Sequence, residues 1–373
     1  MAFCSDLCFY LPSEIVAYSR VQCKLRKPKL LQFDIPPQMT YNQNHNRIGR
    51  SRKEAPLKFG VIIVTYNRLA LLKECVSCVL AQTEPFSNVC IIDNHSSDGT
   101  AGWLKTLPAS VQAETGSCTG PFFDICRLEE NLGGAGGFAC GMKRLSDTDC
   151  DWILIIDDDA MIAPDYVAEL KKAVINHKYL AYSGTVTTRG TIDTSHRRFL
   201  KCPTFMFYEP VPEAAYGSPS FEYDISTFCG LLIKTSLVRE IGFPKTEYFI
   251  WFDDTEYCMR FHSRSRILNV NTAVLNHRTA PPGDAPMVSW KNYYGFRNAI
   301  DIGRTYSRHP SLYMAYIISN HLAHIVLDSF LALLGNQPSI RRYRAGIYKA
   351  VLKGLRQKPG GICRDYLPGS GPS

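Results

Sequence analysis

The stretch Gly60-Val-Ile-Ile-Val-Thr65 decides the fold of this chain. It is a short, continuous apolar run rich in β-branched residues, which is typical of a strand that is buried on both faces. Trp152-Ile-Leu-Ile-Ile156 has the same character, and Val89-Cys-Ile-Ile-Asp93 and residues 125–128 extend the series. Residues 69–82 show helical spacing between the first two runs. This alternation predicts an α/β protein with a mostly parallel sheet covered by helices on both faces.

Polar residues follow each predicted strand. Ligands of parallel α/β sheets bind at the edge where the strands deliver their carboxyl ends. Here those ends carry Thr65-Tyr-Asn67, Asp93-Asn94, Asn131 and Asp157-Asp-Asp159. We therefore expect these side chains to form one binding site.

The three consecutive aspartates suggest a cation site. On an extended segment, Asp157 and Asp159 share one face while Asp158 points away. Two carboxylates on one face repel each other unless a cation joins them, and oxygen ligands suit Mg²⁺ or Mn²⁺. A solvated acidic turn is the alternative interpretation.

A glycine-rich run, Asn131-Leu-Gly-Gly-Ala-Gly-Gly137, follows the third predicted strand. Its spacing and its late position differ from the dinucleotide-binding fingerprint, which argues against a dehydrogenase. Glycines at this density indicate that the backbone approaches a ligand or another segment closely. A simple helix-entry loop is the alternative.

A second acidic motif, Trp251-Phe-Asp-Asp-Thr-Glu256, lies among large apolar side chains. Apolar surroundings raise the pKa of a carboxyl group, and such a group can act as a general base. The same residues could instead cap and open a helix. His277 follows 21 residues after Glu256 and becomes a candidate ligand if a metal is bound nearby.

The net charge of +8 belongs to the two ends of the chain. Residues 1–60 carry ten basic and four acidic side chains, and residues 339–373 carry eight basic and one acidic. The 278 residues between them hold 24 basic and 29 acidic groups. An acidic body argues against a nucleic-acid-binding protein, whose basic groups gather on the folded core.

Two C-terminal segments are predicted to be helices. Residues 311–334 are largely apolar, but Asn320, His324 and Asp328 form a polar stripe, which favours a packed or interfacial helix over a membrane span. Residues 340–356 form a basic amphipathic helix. We expect it to associate with anionic lipid, and packing on the catalytic body is the alternative.

In this order, these motifs resemble family 2 glycosyltransferases of GT-A fold. The glycine run and the Trp-x-Asp-Asp-x-Glu element look most like the bacterial galactofuranosyltransferase branch, and the resemblance covers roughly residues 59–300. It implies an inverting transferase that takes a sugar from a nucleotide diphosphate donor. Galactofuranose from UDP-galactofuranose is the donor that the resemblance favours. A rhamnosyltransferase using dTDP-rhamnose and a non-catalytic glycan- or nucleotide-binding module of the same fold stay open.

The resemblance also implies roles for individual residues. The metal ligands for Mn²⁺ or Mg²⁺ would be Asp157, Asp159 and His277. Asp254 would be the catalytic base, with Asp253 and Glu256 beside it. The donor would be bound by Thr65, Asn67, Arg68, Asp93, Asn131, Gly133, Gly134 and Asp158. The acceptor would contact Trp251, Tyr293 and Arg297.

We expect three regions along the chain: an N-terminal arm of uncertain structure (1–57), a catalytic domain (58–300) and a basic, membrane-docking helical region (301–373). The catalytic domain divides into a nucleotide-sugar half (about 58–160) and an acceptor half (about 161–300). Because residues 1–10 lack the pattern of a signal peptide, we expect a cytoplasmic protein at the inner face of the cell membrane. Its acceptor would be a lipid-linked or oligosaccharide chain of a surface polysaccharide such as an O-antigen, and the sequence leaves the oligomeric state open.

Overall fold

A computed structural model of the chain describes residues 56–115, 120–279 and 289–355. Almost all of the predicted N-terminal arm, and the last 18 residues of the basic tail, lie outside these ranges. The described residues from Leu57 onwards belong to one compact unit.

The described residues form strands and helices in the order that the apolar runs predict. The strands are β1 (Phe59–Thr65), β2 (Asn88–Asp93), β3 (Phe122–Arg127), β4 (Trp152–Asp157), β5 (Ala160–Ile162), β6 (Ala181–Thr188), β7 (Thr191–Ile192), β8 (Arg197–Cys202), β9 (Phe207–Pro210), β10 (Ser220–Tyr223), β11 (Ile225–Ser226), β12 (Leu231–Lys234) and β13 (Ile267–His277). The α-helices are α1 (Leu69–Leu80), α2 (Thr100–Thr115), α3 (Gly133–Ser146), α4 (Tyr166–Asn176), α5 (Thr235–Ile241), α6 (Asp253–Phe261), α7 (Lys291–Tyr306), α8 (Pro310–Leu333) and α9 (Pro338–Gly354).

The central sheet has the strand order β10-β13-β6-β12-β4-β1-β2-β3. Strands β4, β1, β2 and β3 are parallel neighbours, and β6 also pairs in parallel with β13. Strand β12 runs antiparallel between β4 and β6. Strands β11, β8 and β9 form a small second sheet. The predicted α/β fold with a mostly parallel sheet is therefore confirmed.

Helices cover both faces of the sheet, as predicted. Every residue of β1 is buried, and its side chains alternate between two cores. Val61 and Ile63 pack in the core with α1, α2 and α4, whereas Ile62 and Val64 pack in the core with α3, α5 and α6. A strand that is buried on both faces needs the continuous apolar run seen in the sequence.

The glycines of α3 allow this helix to lie directly on β1. A Cβ atom on Gly137 would come within 2.5 Å of Val64, and one on Gly141 within 2.5 Å of Ile62. The run that begins at Gly133 forms the first turn of the helix. Some of these glycines are therefore needed for the packing of α3 on the sheet. The sequence analysis gave close approach to another segment, besides approach to a ligand, as an explanation for the glycine run.

Helices α7, α8 and α9 share a third core. Its members include Tyr293 of α7, Ile317 of α8 and Ile347 and Val351 of α9. The sequence predicts α9 as a basic amphipathic helix that contacts lipid. The structure confirms the helix and buries much of its apolar face against protein, which is the packing that the sequence analysis gave as the alternative to lipid contact.

Candidate functional site

The carboxyl ends of β1, β2 and β4 lie side by side at one edge of the sheet. In the strand register, Thr65 pairs with Asp93, and Val64 pairs with Asp157. The loops that follow these strands therefore meet, because parallel strands deliver their carboxyl ends to one edge. This edge brings the motif Thr65-Tyr-Asn67 together with the motif Asp157-Asp-Asp159.

The aspartate run ends the strand and enters a turn. Asp157 is the last residue of β4, and Asp158 and Asp159 form the turn before β5. Arg68 contacts both turn residues: its guanidinium lies 2.6 Å from Asp158 Oδ1 and 2.7 Å from Asp159 Oδ2. The expectation that Asp158 points away from its neighbours was wrong, because it assumed an extended segment.

Asp158 is fully buried and serves the structure of the site. Thr65 Oγ1 donates a hydrogen bond of 2.6 Å to Asp158 Oδ2. Burial raises the pKa of Asp158 to about 7, although Arg68 and Thr65 oppose this shift. With Thr65 only 1 % exposed, the pair fixes the end of β1 against the aspartate turn.

The electrostatics of Asp157 and Asp159 differ. Burial and then the charge of Asp159 raise the pKa of Asp157 to about 6. Burial by itself would also raise the pKa of Asp159, but its contacts with His277 and Arg68 bring that pKa below the ordinary value. His277 Nε2 lies 3.3 Å from Asp159 Oδ1. The site thus contains more carboxylates than cationic groups to balance them, as a cation-binding site does.

Two residues that the sequence analysis missed complete this corner. Donor atoms of Asp193, His196 and His277 lie within 4.8 Å of one another, and His277 and His196 are both buried. Among the described residues, Nδ1 of His277 has no hydrogen-bond partner, and the contact of its Nε2 is with Asp159 at 3.3 Å. Carboxylates and imidazole nitrogens form a donor set that fits a divalent cation such as Mn²⁺. Asp193 and His196 carry no sequence signal, because only the pairing of the strands around them brings them to His277.

Asn94 fixes the glycine run to the end of β2. Its Nδ2 donates to Asn131 Oδ1 at 2.9 Å and to the carbonyl of Gly133 at 3.0 Å. Its Oδ1 accepts a hydrogen bond from the backbone of Leu132 at 2.8 Å. The side chain of Asn131, which the sequence analysis predicted to bind the sugar donor, therefore helps to shape this loop. Asn94 was present in the sequence motif, but its positioning role follows only from these contacts.

Gly133 and Gly134 have different environments. Gly133 has φ +69°, and a Cβ atom there would lie 2.0 Å from the carbonyl oxygen of Phe249. The nearest side-chain atom to a Cβ on Gly134 would be in Phe138, at 3.9 Å. Gly133 is therefore required by the backbone, whereas Gly134 has room for a side chain.

The loops after β1 and β2 are bound to each other. Ser96 Oγ accepts a hydrogen bond from the backbone of Asn67, and Asn67 Oδ1 accepts one from Ser97. Asp93 is buried; its Oδ1 accepts a hydrogen bond from the backbone of Ser96, and its Oδ2 lies 3.8 Å from Arg127. These contacts hold polar groups together beside the aspartate turn, and we refer to this polar edge of the sheet as the recess.

The second acidic motif opens helix α6 from a strained loop. Phe249, Trp251 and Phe252 all have positive φ, with values of 61°, 64° and 67°. Backbone strain at non-glycine residues persists only where surrounding contacts enforce it, and it is commonly found at functional sites. The strained loop delivers Asp253 and Asp254 at the start of the helix.

Asp254 is the partly exposed member of this acidic pair, with a side chain 19 % exposed. Its Oδ1 accepts a hydrogen bond from Thr255 Oγ1 at 2.9 Å and lies 4.0 Å from Arg198. Burial raises the pKa of Asp254, and Arg198 opposes the shift. Burial and the charge of Asp254 raise the pKa of Asp253 well above its ordinary value. The charge of Asp254 also acts on Asp157, so the two acidic motifs lie within electrostatic range of each other.

Glu256, grouped with Asp254 in the sequence analysis, is held in an ionic network. It is 1 % exposed, and its carboxylate accepts hydrogen bonds from Arg260 at 2.7 Å and from Tyr306 at 2.8 Å. Lys245 lies 3.6 Å from it. The structure therefore places Glu256 between α6 and α7 as a buried anchor.

The predicted acceptor residues also support the strained loop. Tyr293 is 2 % exposed within the third core. Arg297 lies over the ring of Tyr294, 4.8 Å from its centroid, and donates to the carbonyl of Glu247. Trp251 keeps a partly exposed side chain, and its ring rests against Gly295.

This topology and this acidic edge are those of the GT-A fold. Residues 60–230 match the family described as Glycosyl transferase family 2. A crystal structure of GalNAc-T7 with UDP, GalNAc and Mn²⁺ shares the fold, with a TM-score of 0.55, 13 % identity, and coverage of 84 % of this chain and 59 % of that one.

Two curated relatives come from Mycolicibacterium smegmatis. Galactofuranosyltransferase GlfT2 is 24 % identical over 290 residues, which are 70 % of this chain and 42 % of that protein. Galactofuranosyltransferase GlfT1 is 26 % identical over 201 residues, which are 52 % of this chain and 62 % of that protein. The matches thus span about half the length of these relatives.

Proposed function

We propose that this chain is an inverting, divalent-metal-dependent glycosyltransferase. It moves galactofuranose from UDP-galactofuranose to a hydroxyl group of a lipid-linked cell-surface glycan. The observation that carries this proposal is the proximity of two acidic groups: Asp159 lies beside His277, and the charge of Asp254 acts on Asp157. The names of the two mycobacterial relatives support the choice of donor.

Asp157, Asp159 and His277 are the residues that would hold Mn²⁺ or Mg²⁺. The bound ion stabilises the negative charge that develops on a leaving nucleoside diphosphate. The GalNAc-T7 structure contains both UDP and Mn²⁺, which supports this ligand pair for the same fold. Arg68, already paired with Asp158 and Asp159, adds a positive group at the donor side of the recess.

Asp254 is the proposed base. Its carboxylate is the partly exposed one of the pair Asp253 and Asp254. Its raised pKa makes it a stronger proton acceptor when it is ionised. It takes the proton of the acceptor hydroxyl as that oxygen attacks the anomeric carbon from the face opposite the leaving diphosphate. Direct displacement inverts the configuration at that carbon, so no covalent enzyme intermediate is required.

The nucleoside would occupy the polar recess formed by the loops after β1 and β2. Asp93 and Thr65 would contact the nucleoside, and Asn67, Asn131, Gly133 and Gly134 would border it. In this proposal Thr65 and Asp158 position the aspartate turn, while Gly134, which has space above it, permits close approach of the donor.

A lipid-linked acceptor implies peripheral association with the cytoplasmic face of a membrane. The excess of basic residues at the C-terminal end of the chain supports attraction to anionic lipid. A rhamnosyltransferase using dTDP-rhamnose is the second candidate, because the residues around the recess do not discriminate between these nucleotides.

A donor screen tests the function. Purified full-length protein is incubated with UDP-galactofuranose, UDP-galactopyranose or dTDP-rhamnose, with Mn²⁺ or Mg²⁺, and release of the nucleoside diphosphate is measured. We expect release from UDP-galactofuranose that is lost with EDTA and with Asp157→Ala. Asp149→Ala, which removes an exposed carboxylate paired with Lys58, is the matched control. Release from dTDP-rhamnose alone would favour the second candidate, and undiminished activity in EDTA would exclude the metal assignment.

A further inference from the structure

Helix α8 presents an unusually apolar face to solvent. Its large apolar side chains Leu322, Val326, Leu327, Phe330 and Leu333, with Leu334 just beyond its end, are 49–81 % exposed. Positions 322, 326, 330 and 333 follow one another at helical spacing, so they form a continuous stripe. We refer to these six residues as the α8 apolar face. Contiguous exposed apolar surface of this kind marks a contact site for a membrane or another protein.

The opposite face of α8 packs against protein. Asp328 is fully buried and bound by Arg344 of α9, with 2.6 Å between Arg344 Nε and Asp328 Oδ2. His321 and His324 lie against the ring of Tyr348 in α9. The polar stripe that the sequence shows on this helix therefore faces α9 at His324 and Asp328.

This packing argues against α8 as a membrane span, although its length and composition alone would allow one. A span would carry α9 into the bilayer, because Asp328 and Arg344 hold the two helices together. Arg342, Lys349 and Lys353 are exposed on α9 and would enter the hydrocarbon with it. Charged side chains at that depth are costly.

The charge around the α8 apolar face complements anionic lipid. Residues 302–355 contain seven Lys or Arg side chains, and their single acidic residue, Asp328, is buried. The exposed basic residues of α9 at positions 342, 349 and 353 recur at helical spacing beside the apolar helix. An apolar stripe with neighbouring basic groups is the pattern of a helix that lies in the plane of a membrane interface.

We propose that the α8 apolar face is the surface that docks this protein on an anionic membrane, with α8 lying in the interface and α9 supplying the basic groups. This inference rests on the proposed membrane association and names the surface responsible for it. It divides the expected membrane contact between two helices: α9 supplies charge, whereas α8 supplies the apolar contact.

The same helix connects the membrane to the recess. Tyr313 of α8 donates a hydrogen bond of 2.8 Å to the carbonyl of Ala299 in α7 and contacts Gly303. One residue away from Ala299, Asn298 holds the loop that leads into Asp254. Docking through α8 would thus hold the base at a defined position relative to a lipid-linked acceptor.

Vesicle flotation of the full-length protein tests this proposal. The vesicles consist of phosphatidylcholine alone or mixed with phosphatidylglycerol. We expect binding only to the mixed vesicles, and a loss of roughly tenfold or more in the triple variant Val326→Gln, Phe330→Gln, Leu333→Gln. Ile175→Gln is the matched control, because Ile175 is 67 % exposed on a different helix, α4. Arg342→Gln with Lys349→Gln and Lys353→Gln should weaken binding to the mixed vesicles and remove its sensitivity to salt.

Three outcomes would overturn the proposal. Unchanged flotation of the apolar triple variant would show that this face does not contact lipid. If the apolar triple variant floats like the wild type but has a lower molar mass by light scattering, this face is instead a contact between two copies of the chain. Resistance to alkaline carbonate extraction from cell membranes would indicate a span. Hydrolysis of the nucleotide sugar in solution, measured on each variant, reports the proposed catalytic function separately from docking.

Discussion

The side-chain amide of Asn298 donates a hydrogen bond of 2.8 Å to the carbonyl oxygen of Trp251. The same Nδ2 lies 3.0 Å from the carbonyl of Tyr248 and 3.2 Å from that of Ile250. Asn298 is fully buried, so it holds the strained loop from within the protein. A residue of α7 thereby determines how the chain enters α6 and where Asp254 lies.

Replacing Asn298 tests this arrangement. Asn298→Ala should lower the free energy of unfolding by roughly 2–4 kcal/mol, because a buried amide and its carbonyl partners lose their hydrogen bonds. The loop would relax towards negative φ, so kcat should fall while donor affinity stays close to that of the wild type. Thermal unfolding and isothermal titration with the donor measure the two effects. Asn336→Ala, at an exposed position, is the control, and an unaltered kcat in a folded Asn298→Ala protein would contradict this role.

The adjacent glycines Gly133 and Gly134 provide a matched pair. Gly133→Ala should destabilise the protein by about 2 kcal/mol or more, because of its positive φ and the clash with Phe249. Gly134→Ala should leave stability unchanged or raise it by up to about 1 kcal/mol, since alanine favours the helix. If Gly134 borders the donor site, Gly134→Ala will still weaken donor binding. Equal stability of the two variants would show that the close approach at Gly133 is not required.

Substitutions of Asp254 and Glu256, both in the second acidic motif, should have different effects. Asp254→Asn should abolish sugar transfer and leave donor binding nearly intact, because only the proton acceptor is removed. Glu256→Gln should retain the pH profile of the reaction but lower thermal stability, because it weakens the contacts with Arg260 and Tyr306. Single-turnover kinetics and thermal unfolding distinguish the two. Loss of donor affinity in Asp254→Asn would mean that this residue is structural.

His321 should make the packing of α8 sensitive to pH. Burial, and then the charge of His324, lowers the pKa of His321 to about 4 from 6.5. Between these values the unfolded chain binds more protons, so stability falls as the pH decreases through this window. The resulting loss between pH 7 and pH 5 is about 2 kcal/mol.

Other groups also contribute to the pH dependence: the pKa values of His196 and His324 are lowered, and Arg344 and Asp328 lie beside His324. The variant His321→Phe therefore isolates the contribution of His321. The midpoint of thermal unfolding should fall less between pH 7 and pH 5 in His321→Phe than in the wild type. Parallel pH profiles of the two proteins would show that His321 is not protonated on unfolding in this range.

Much of the fold follows from local patterns in the sequence. The apolar run before Thr65 and the one before Asp157 specify buried parallel strands, and the polar residues after them specify the functional edge of the sheet. The position of α3 is also readable from the glycine run. The alternation rule failed at Asp158 because strand β4 ends one residue earlier and the chain turns.

The contacts that complete the site could not be read from the sequence. Asp193 and His196 reach His277 only through the arrangement of the strands, and Asn298 reaches Trp251 from a separate helix. Tyr293 and Arg297 have the residue types of a sugar-binding surface, yet the packing of α7 places one in a core and the other on Tyr294. Residue type alone does not say which partner a side chain meets.

By itself, the sequence determined the α/β class, the order of the motifs and the acidic edge, because periodicity and strand ends are properties of neighbouring residues. Tertiary structure alone decided which carboxylates stay accessible, as the contrast between Asp254 and Glu256 shows. It also decided that α8 presents large apolar side chains to solvent, whereas much of the apolar face of α9 is buried. An amphipathic pattern shows that a helix has an apolar face, but the packing of distant segments determines whether protein covers that face.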